Sequence, residues 1–272
     1  MQRLVQFMAA AILLLPVCAR AQAADSNPAD RDAPPRWRPG AALAEIRDYV
    51  IAPLHWDETE WLYFGGALAA VTLAHHYDGQ VRTHFARGVS NPLDGTDNRE
   101  LQDAVPAAAL LAGTWLYANL FEDNAGRAAS RSMVESAVLG AATTVVLRYA
   151  VARQRPNQTI DPNLWNSGGS SFPSLHATVA FAVGTVFAES GTDRSIWFTR
   201  AVGYGVALAS ADRRLKHNAH WLSDTVAGAA IGMAGAHFVM NRESGVRRHA
   251  TVSLMPMDRG ALVTFNTTLP GS

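Results

Sequence analysis

Six apolar segments recur along this 272-residue chain, at about 61–77, 104–121, 132–150, 177–189, 197–211 and 222–240, and they constrain the fold more than any other feature. Each is longer than an ordinary strand, so the pattern predicts helices. They are rich in Ala, Gly and Val, small residues that let helices approach closely. The uncharged run Ala104–Phe121 is 18 residues long, whereas Glu135, Arg148, Glu189, Arg200 and Asp224 interrupt most of the others. A membrane-spanning helix needs about 20 mostly apolar residues, and the mean hydropathy is only +0.01. The expectation is an all-α helical bundle, soluble or peripherally membrane-associated, with an integral inner-membrane protein as the alternative.

The two ends differ from this body. Arg3, the apolar stretch Met8–Val17 and the small residues Ala21-Gln22-Ala23 read as a secretory signal over residues 1–23, with an uncleaved anchor as the other reading. Export places the mature chain in the periplasm. Cys18, the single cysteine, leaves with the signal, so no disulfide is expected. Residues 24–40, rich in Pro, Asp and Arg, read as a flexible leader, and 41–243 as the helical domain. In the tail, 244–272, two runs rich in Val, Thr, Phe and Leu flank Asp258-Arg259-Gly260 and predict a short β-hairpin, with Pro256 marking an edge strand. The polar loop Ser90–Asn98 lacks the ligand spacing of a calcium loop and reads as a turn. Lys and Arg together number 23, as do Asp and Glu, which removes any bulk-charge reason to bind nucleic acid.

The chemistry sits in three short stretches: Arg148-x6-Arg155-Pro156, then Pro173-Ser174-Leu175-His176, then Arg214-x5-His220-x3-Asp224. Guanidiniums are permanently charged forks that match phosphate oxygens. A histidine oriented by a carboxylate can serve as a nucleophile, and a second histidine can protonate a leaving group. His220 and Asp224 lie four apart at the start of an apolar segment and are expected on one helix face, with Asp224 accepting from one ring nitrogen. Standing alone, such a pair is also an ordinary contact at a helix end. Ser174 precedes an apolar helix, where it can cap the helix as well as donate to a phosphate. That helix amino terminus is itself suited to an anion. Arg148 and Arg155 are two helical turns apart and point the same way if the helix continues, although Pro156 disfavours that. Arg153, off that face, reads as a surface charge complementing the helix dipole. Trp221 either lines an approach to the site or packs in the core. His75-His76-Tyr77-Asp78 and His217 complete no metal-ligand spacing, so no metal is expected.

The ordered set resembles the signature of the type 2 phosphatidic acid phosphatase superfamily, which also holds bacterial acid phosphatases and vanadium haloperoxidases. The family pattern reads Lys-x6-Arg-Pro, then Pro-Ser-Gly-His, then Ser-Arg-x5-His-x3-Asp. Arg148 stands here for Lys, Leu175 for Gly and Arg213 for Ser. The loss of glycine at 175 removes freedom at positive φ and adds bulk beside the pocket. The resemblance implies a helical bundle of the acid phosphatase/vanadium haloperoxidase type. It implies catalytic roles for His220, Asp224 and His176, and phosphate binding by Arg148, Arg155, Ser174, the Leu175 N–H and Arg214. The implied reaction is hydrolysis of phosphate monoesters or pyrophosphates, small or lipid-linked, through a phosphohistidine, with no cofactor and with vanadate as an inhibitor. A vanadium-dependent haloperoxidase and a non-catalytic envelope binding protein on the same fold are the rival readings.

Overall fold

The computed structural model describes residues 46–86, 100–244, 250–257 and 260–267, so the expected signal, leader and polar loop at 90–98 lie outside the described residues. A short helical segment at 46–51 and a 3-10 turn, Ala52–His55, lead into six long helices. These are α1 (Glu58–Ala86), α2 (Glu100–Leu120), α3 (Asn124–Val151), α4 (Leu175–Glu189), α5 (Ile196–Lys216) and α6 (Leu222–Ser244). Each of the six apolar segments coincides with one of them, the second running one residue past the end of α2.

Local signals set the ends that matter. Asp123 caps α3 by accepting the Ala125 N–H, and Ala152 closes it in the left-handed region at φ 46°. Ser174 caps α4, accepting from the Ala177 N–H at 3.5 Å. Asp224 lies in the first turn of α6 and reaches back to the Trp221 N–H at 2.8 Å, the acidic half of a capping box.

Helix α4 is the centre of the bundle, packed by α2, α3, α5 and α6. That explains why its sequence is apolar on nearly every face, with Ala177, Ala180, Phe181, Val183 and Val186 all buried. Gly232 of α6 lets the two backbones meet: a Cβ there would lie 2.3 Å from the Thr178 carbonyl oxygen. Phe64, Leu147, Phe172 and Ile231 join α1, α3 and α6 into one core cluster. The outer faces are not polar. Trp115 and Tyr117 on α2, Val138 and Tyr149 on α3, and Trp197 and Phe198 on α5 are all exposed. Among the described residues, α3 is the one helix long and apolar enough to cross a membrane.

The tail forms the expected antiparallel hairpin, β1 (Ala250–Met257) with β2 (Gly260–Thr267), in the register Ala250↔Thr267 to Met257↔Gly260. Pro256 pairs with Ala261, and in a two-stranded sheet every strand is an edge.

Candidate active site

The carboxyl ends of α3 and α5 and the amino ends of α4 and α6 meet at one end of the bundle, and hydrogen bonds tie the three motif stretches together there. Arg148 Nε donates to the Pro173 carbonyl at 2.9 Å. The Ser171 N–H donates to the Arg153 carbonyl at 2.9 Å, and the Ser174 N–H to the Asp224 carbonyl at 3.0 Å. Trp221 Nε1 donates to the Gln154 carbonyl at 2.8 Å, and Asn218 Nδ2 to the Pro156 carbonyl at 3.3 Å. Trp221 is therefore core packing, 1% exposed.

His220 precedes α6 rather than sharing its face with Asp224, and it is buried. Its Nδ1 lies 2.8 Å from the Ser171 carbonyl oxygen but 3.6 Å from Asp224 Oδ2. A carbonyl only accepts, so Nδ1 carries the proton and Nε2 the lone pair. Nε2 is buried and has no hydrogen-bond partner among the described residues. Burial pushes the imidazole pKa down to about 3 against the pull of Asp224, and the nearby charges of Arg214 and Arg148 push the same way. His220 is a neutral base at neutral pH.

Asp224 is fully buried and saturated with donors. Oδ1 takes Arg153 Nη1 at 2.6 Å, while Oδ2 takes the Ser171 hydroxyl and the Trp221 N–H. Burial alone would raise its pKa, but the Arg153 charge and the donors around it hold it below the ordinary carboxylate range. Arg153 thus corrects the expectation of a surface charge. Its guanidinium is wholly buried, because carboxylates on α1 and α6 neutralise it from both sides.

Of the other expected residues, Arg214 and Arg148 lie near enough for their charges to act on His220. Arg214, at the end of α5, is buried and bonded to Asp103 Oδ2 at 2.7 Å. Asp103 of α2 also takes His217 Nδ1 at 3.0 Å. Burial pushes the Asp103 carboxyl up, but bonds from Arg214 and His217 outweigh it and leave the pKa low. Ser174 is buried as the α4 cap, so its structural reading holds. Leu175 and His176 are the first two residues of α4 and are half-buried. Leu175 sits in a helix and not at positive φ, so replacing the family's glycine strains no backbone here. Helix α3 stops at Val151, so Arg155 lies on the following loop and not on a shared helical face with Arg148. Its N–H is held by Gln158 Oε1 at 3.0 Å.

Asp103 and Ser171 carry no site expectation from the sequence, and Asp78 and Arg153 carry a different one. For Asp78, the three-residue spacing from His75 was the only local signal; Ser171 was hidden in a Gly/Ser-rich loop. Among the described residues no three His, Cys, Asp or Glu side chains converge on a metal-binding geometry.

Residues 130–247 match the PAP2 superfamily. A stretch of 86 residues, 32% of this chain, is 37% identical to the lipid A 1-phosphatase of Porphyromonas gingivalis, and covers 17% of that relative's length. No solved structure matches the chain.

Proposed function

We propose that this chain, whose residues 130–247 match the PAP2 superfamily, is a metal-independent phosphatase acting on phosphate monoesters or pyrophosphates carried by lipids. The observation that carries the reading is the His220 ring, with Nδ1 fixed by the Ser171 carbonyl and a buried lone pair on Nε2. A neutral imidazole held in one tautomer is what attack on phosphorus requires.

In the first step the Nε2 lone pair bonds to phosphorus as the bond to the leaving oxygen breaks. His176 gives that oxygen a proton. In the second step His176 takes a proton from water, the water oxygen attacks phosphorus, and the P–N bond breaks to release phosphate and restore His220. Asp224 stabilises the cationic phosphohistidine. Arg148, Arg155 and Arg214 supply positive charge to the equatorial oxygens, and Ser174 and the Leu175 N–H add donors at the amino terminus of α4. An arginine cradle does the work a divalent cation does elsewhere, which supports metal independence.

Two observations favour a lipid-linked substrate. The similar stretch of the Porphyromonas gingivalis protein belongs to a lipid A 1-phosphatase. Large apolar side chains such as Tyr149 and Trp197, 85% and 78% exposed, cover the outer helix faces. Such surfaces suit a protein that works against a membrane.

The test is phosphate release by the full chain with EDTA present, on p-nitrophenyl phosphate, phosphatidic acid and a polyprenyl pyrophosphate. Activity that survives EDTA, prefers the lipids and vanishes in His220→Ala is expected. An acid-labile phosphoenzyme should be trapped from radiolabelled substrate with the parent protein and not with His220→Ala. Folded protein inert on all three substrates would overturn the reading.

A further inference from the structure

Asp224 is the inner end of a buried charge chain that leaves the motif residues altogether. Arg153 Nη1 binds Asp224 Oδ1 at 2.6 Å and the Ser223 hydroxyl at 2.8 Å. Its Nη2 binds Asp78 Oδ2 at 2.7 Å, and both Nη2 and Nε reach the Pro162 carbonyl. Asp78, on α1, also accepts the Ser223 N–H and hydroxyl, and pairs with His75 Nδ1 at 2.9 Å. The guanidinium carbon lies 4.2 Å from the Trp165 ring centroid and 5.2 Å from that of Trp221. Its plane and position are fixed on every side.

Burying three full charges is costly unless each is paired and hydrogen-bonded. A bundle needing only stability could place apolar side chains here at no loss. What the charges supply is direction. Asp224 has two oxygens, and a carboxylate held only by Ser171 and Trp221 could swing about its own axis. Arg153 engages Oδ1 and so turns Oδ2 towards the His220 side, where a cation develops when the ring bonds to phosphorus. Asp78 in turn stops Arg153 from swinging away, and it anchors the arrangement to α1.

We propose that Arg153 and Asp78 are positioning residues for the reaction, acting on His220 through Asp224 without touching substrate. The inference rests on His220 and Asp224 working as described under Proposed function. His75, which closes the chain, faces an open cleft between α1 and the Pro162-Asn163 loop and bonds Asn163 Oδ1 at 3.2 Å.

The experiment is a double-mutant cycle on kcat and KM with the full chain. Arg153→Lys keeps the charge but reaches only one carboxylate at a time, and Asp78→Asn is isosteric; both are measured alone and combined with Asp224→Asn. Each single variant should lower kcat about tenfold or more with KM within about twofold, since the phosphate cradle is untouched. In the Asp224→Asn background neither should lower kcat further. Arg153→Met, should it fold, should lose more than Arg153→Lys. Equal losses in both backgrounds, losses confined to KM, or unchanged kcat in folded single variants would overturn the proposal. If His220→Ala retained activity the reading of the reaction would fail instead, whatever the cycle gave.

Discussion

The His220 ring is oriented by a backbone carbonyl: its Nδ1 proton goes to Ser171 at 2.8 Å. Asp224, 3.6 Å away, accepts from Arg153, Ser171 and Trp221 instead. The division of labour has a physical logic. A neutral acceptor fixes the tautomer without raising the basicity of a resting ring. On the proposed mechanism, the nearby carboxylate then meets an imidazolium-like intermediate, where a full charge matters most.

Protonation of His220 makes folding pH-dependent with a definite sign. The buried ring stays neutral down to about pH 3, whereas the unfolded chain takes up a proton near pH 6.5. The unfolded state then binds more protons, so the contribution is complete above pH 6.5 and shrinks as pH falls towards 3, by about 1.4 kcal/mol per unit. Urea unfolding between pH 6.5 and 4.5 should show a steeper loss in the parent than in His220→Asn. Equal slopes would remove the buried neutral histidine from the account.

Ser171→Ala takes one donor from Asp224 while leaving the Ser171 carbonyl, and hence the His220 tautomer, in place. A hydrogen bond to a buried charge is worth about 1.5–3 kcal/mol. Stability should fall by that order. Because the lost donor helps hold the Asp224 pKa down, the acid side of the kcat/KM profile should move to higher pH. A profile that stays in place would mean that Asp224 ionisation does not limit turnover.

Asp103→Asn strips the carboxylate from a buried arginine. Arg214 and Asp103 are 0% and 1% exposed at the side chain, and breaking one partner of such a pair costs about 3–5 kcal/mol. The urea midpoint should drop accordingly. The double variant Asp103→Asn with Arg214→Gln should recover part of the loss in stability without recovering activity.

Leu175→Gly separates bulk from backbone. Leu175 is the first residue of α4, so glycine there should cost less than the ~0.5–1 kcal/mol it costs in a helix interior. If the side chain narrows the mouth of the site, turnover of phosphatidic acid should rise relative to p-nitrophenyl phosphate. An unchanged ratio would make the leucine incidental to substrate choice.

The parts of this molecule legible from sequence were those with local causes. Apolar runs of helical length marked all six helices, and strand-like composition marked the tail hairpin. The motif spacings picked out His220 and Asp224, which the fold does bring side by side. Arg153 was misread because a basic residue just beyond a helix end is ordinarily solvated, and its burial depends on Asp78, far away in sequence on α1. The same non-locality hid Asp103, whose partners Arg214 and His217 lie on another helix and its capping residue. Arg148 and Arg155 could share a face only on a continuing helix, which Pro156 disfavours; the left-handed Ala152 ends that helix first.

Gly232→Ala tests whether close contact between α4 and α6 holds the site. The added Cβ would meet the Thr178 carbonyl oxygen at 2.3 Å, the Ala182 nitrogen at 2.8 Å and the Phe181 Cβ at 3.0 Å. Backbone atoms cannot rotate away as a side chain would, so the helices must move apart, at about 1–3 kcal/mol for an overpacked core. Those helices carry His176 at the start of one and Asp224 in the first turn of the other. Activity per folded molecule should therefore fall together with the urea midpoint. Gly205, whose Cβ would meet nothing within 4 Å, is the control, and Gly205→Ala should stabilise α5 by a few tenths of a kcal/mol to about 1. A Gly232→Ala protein as stable and active as its parent would show that α4 and α6 do not need to approach this closely.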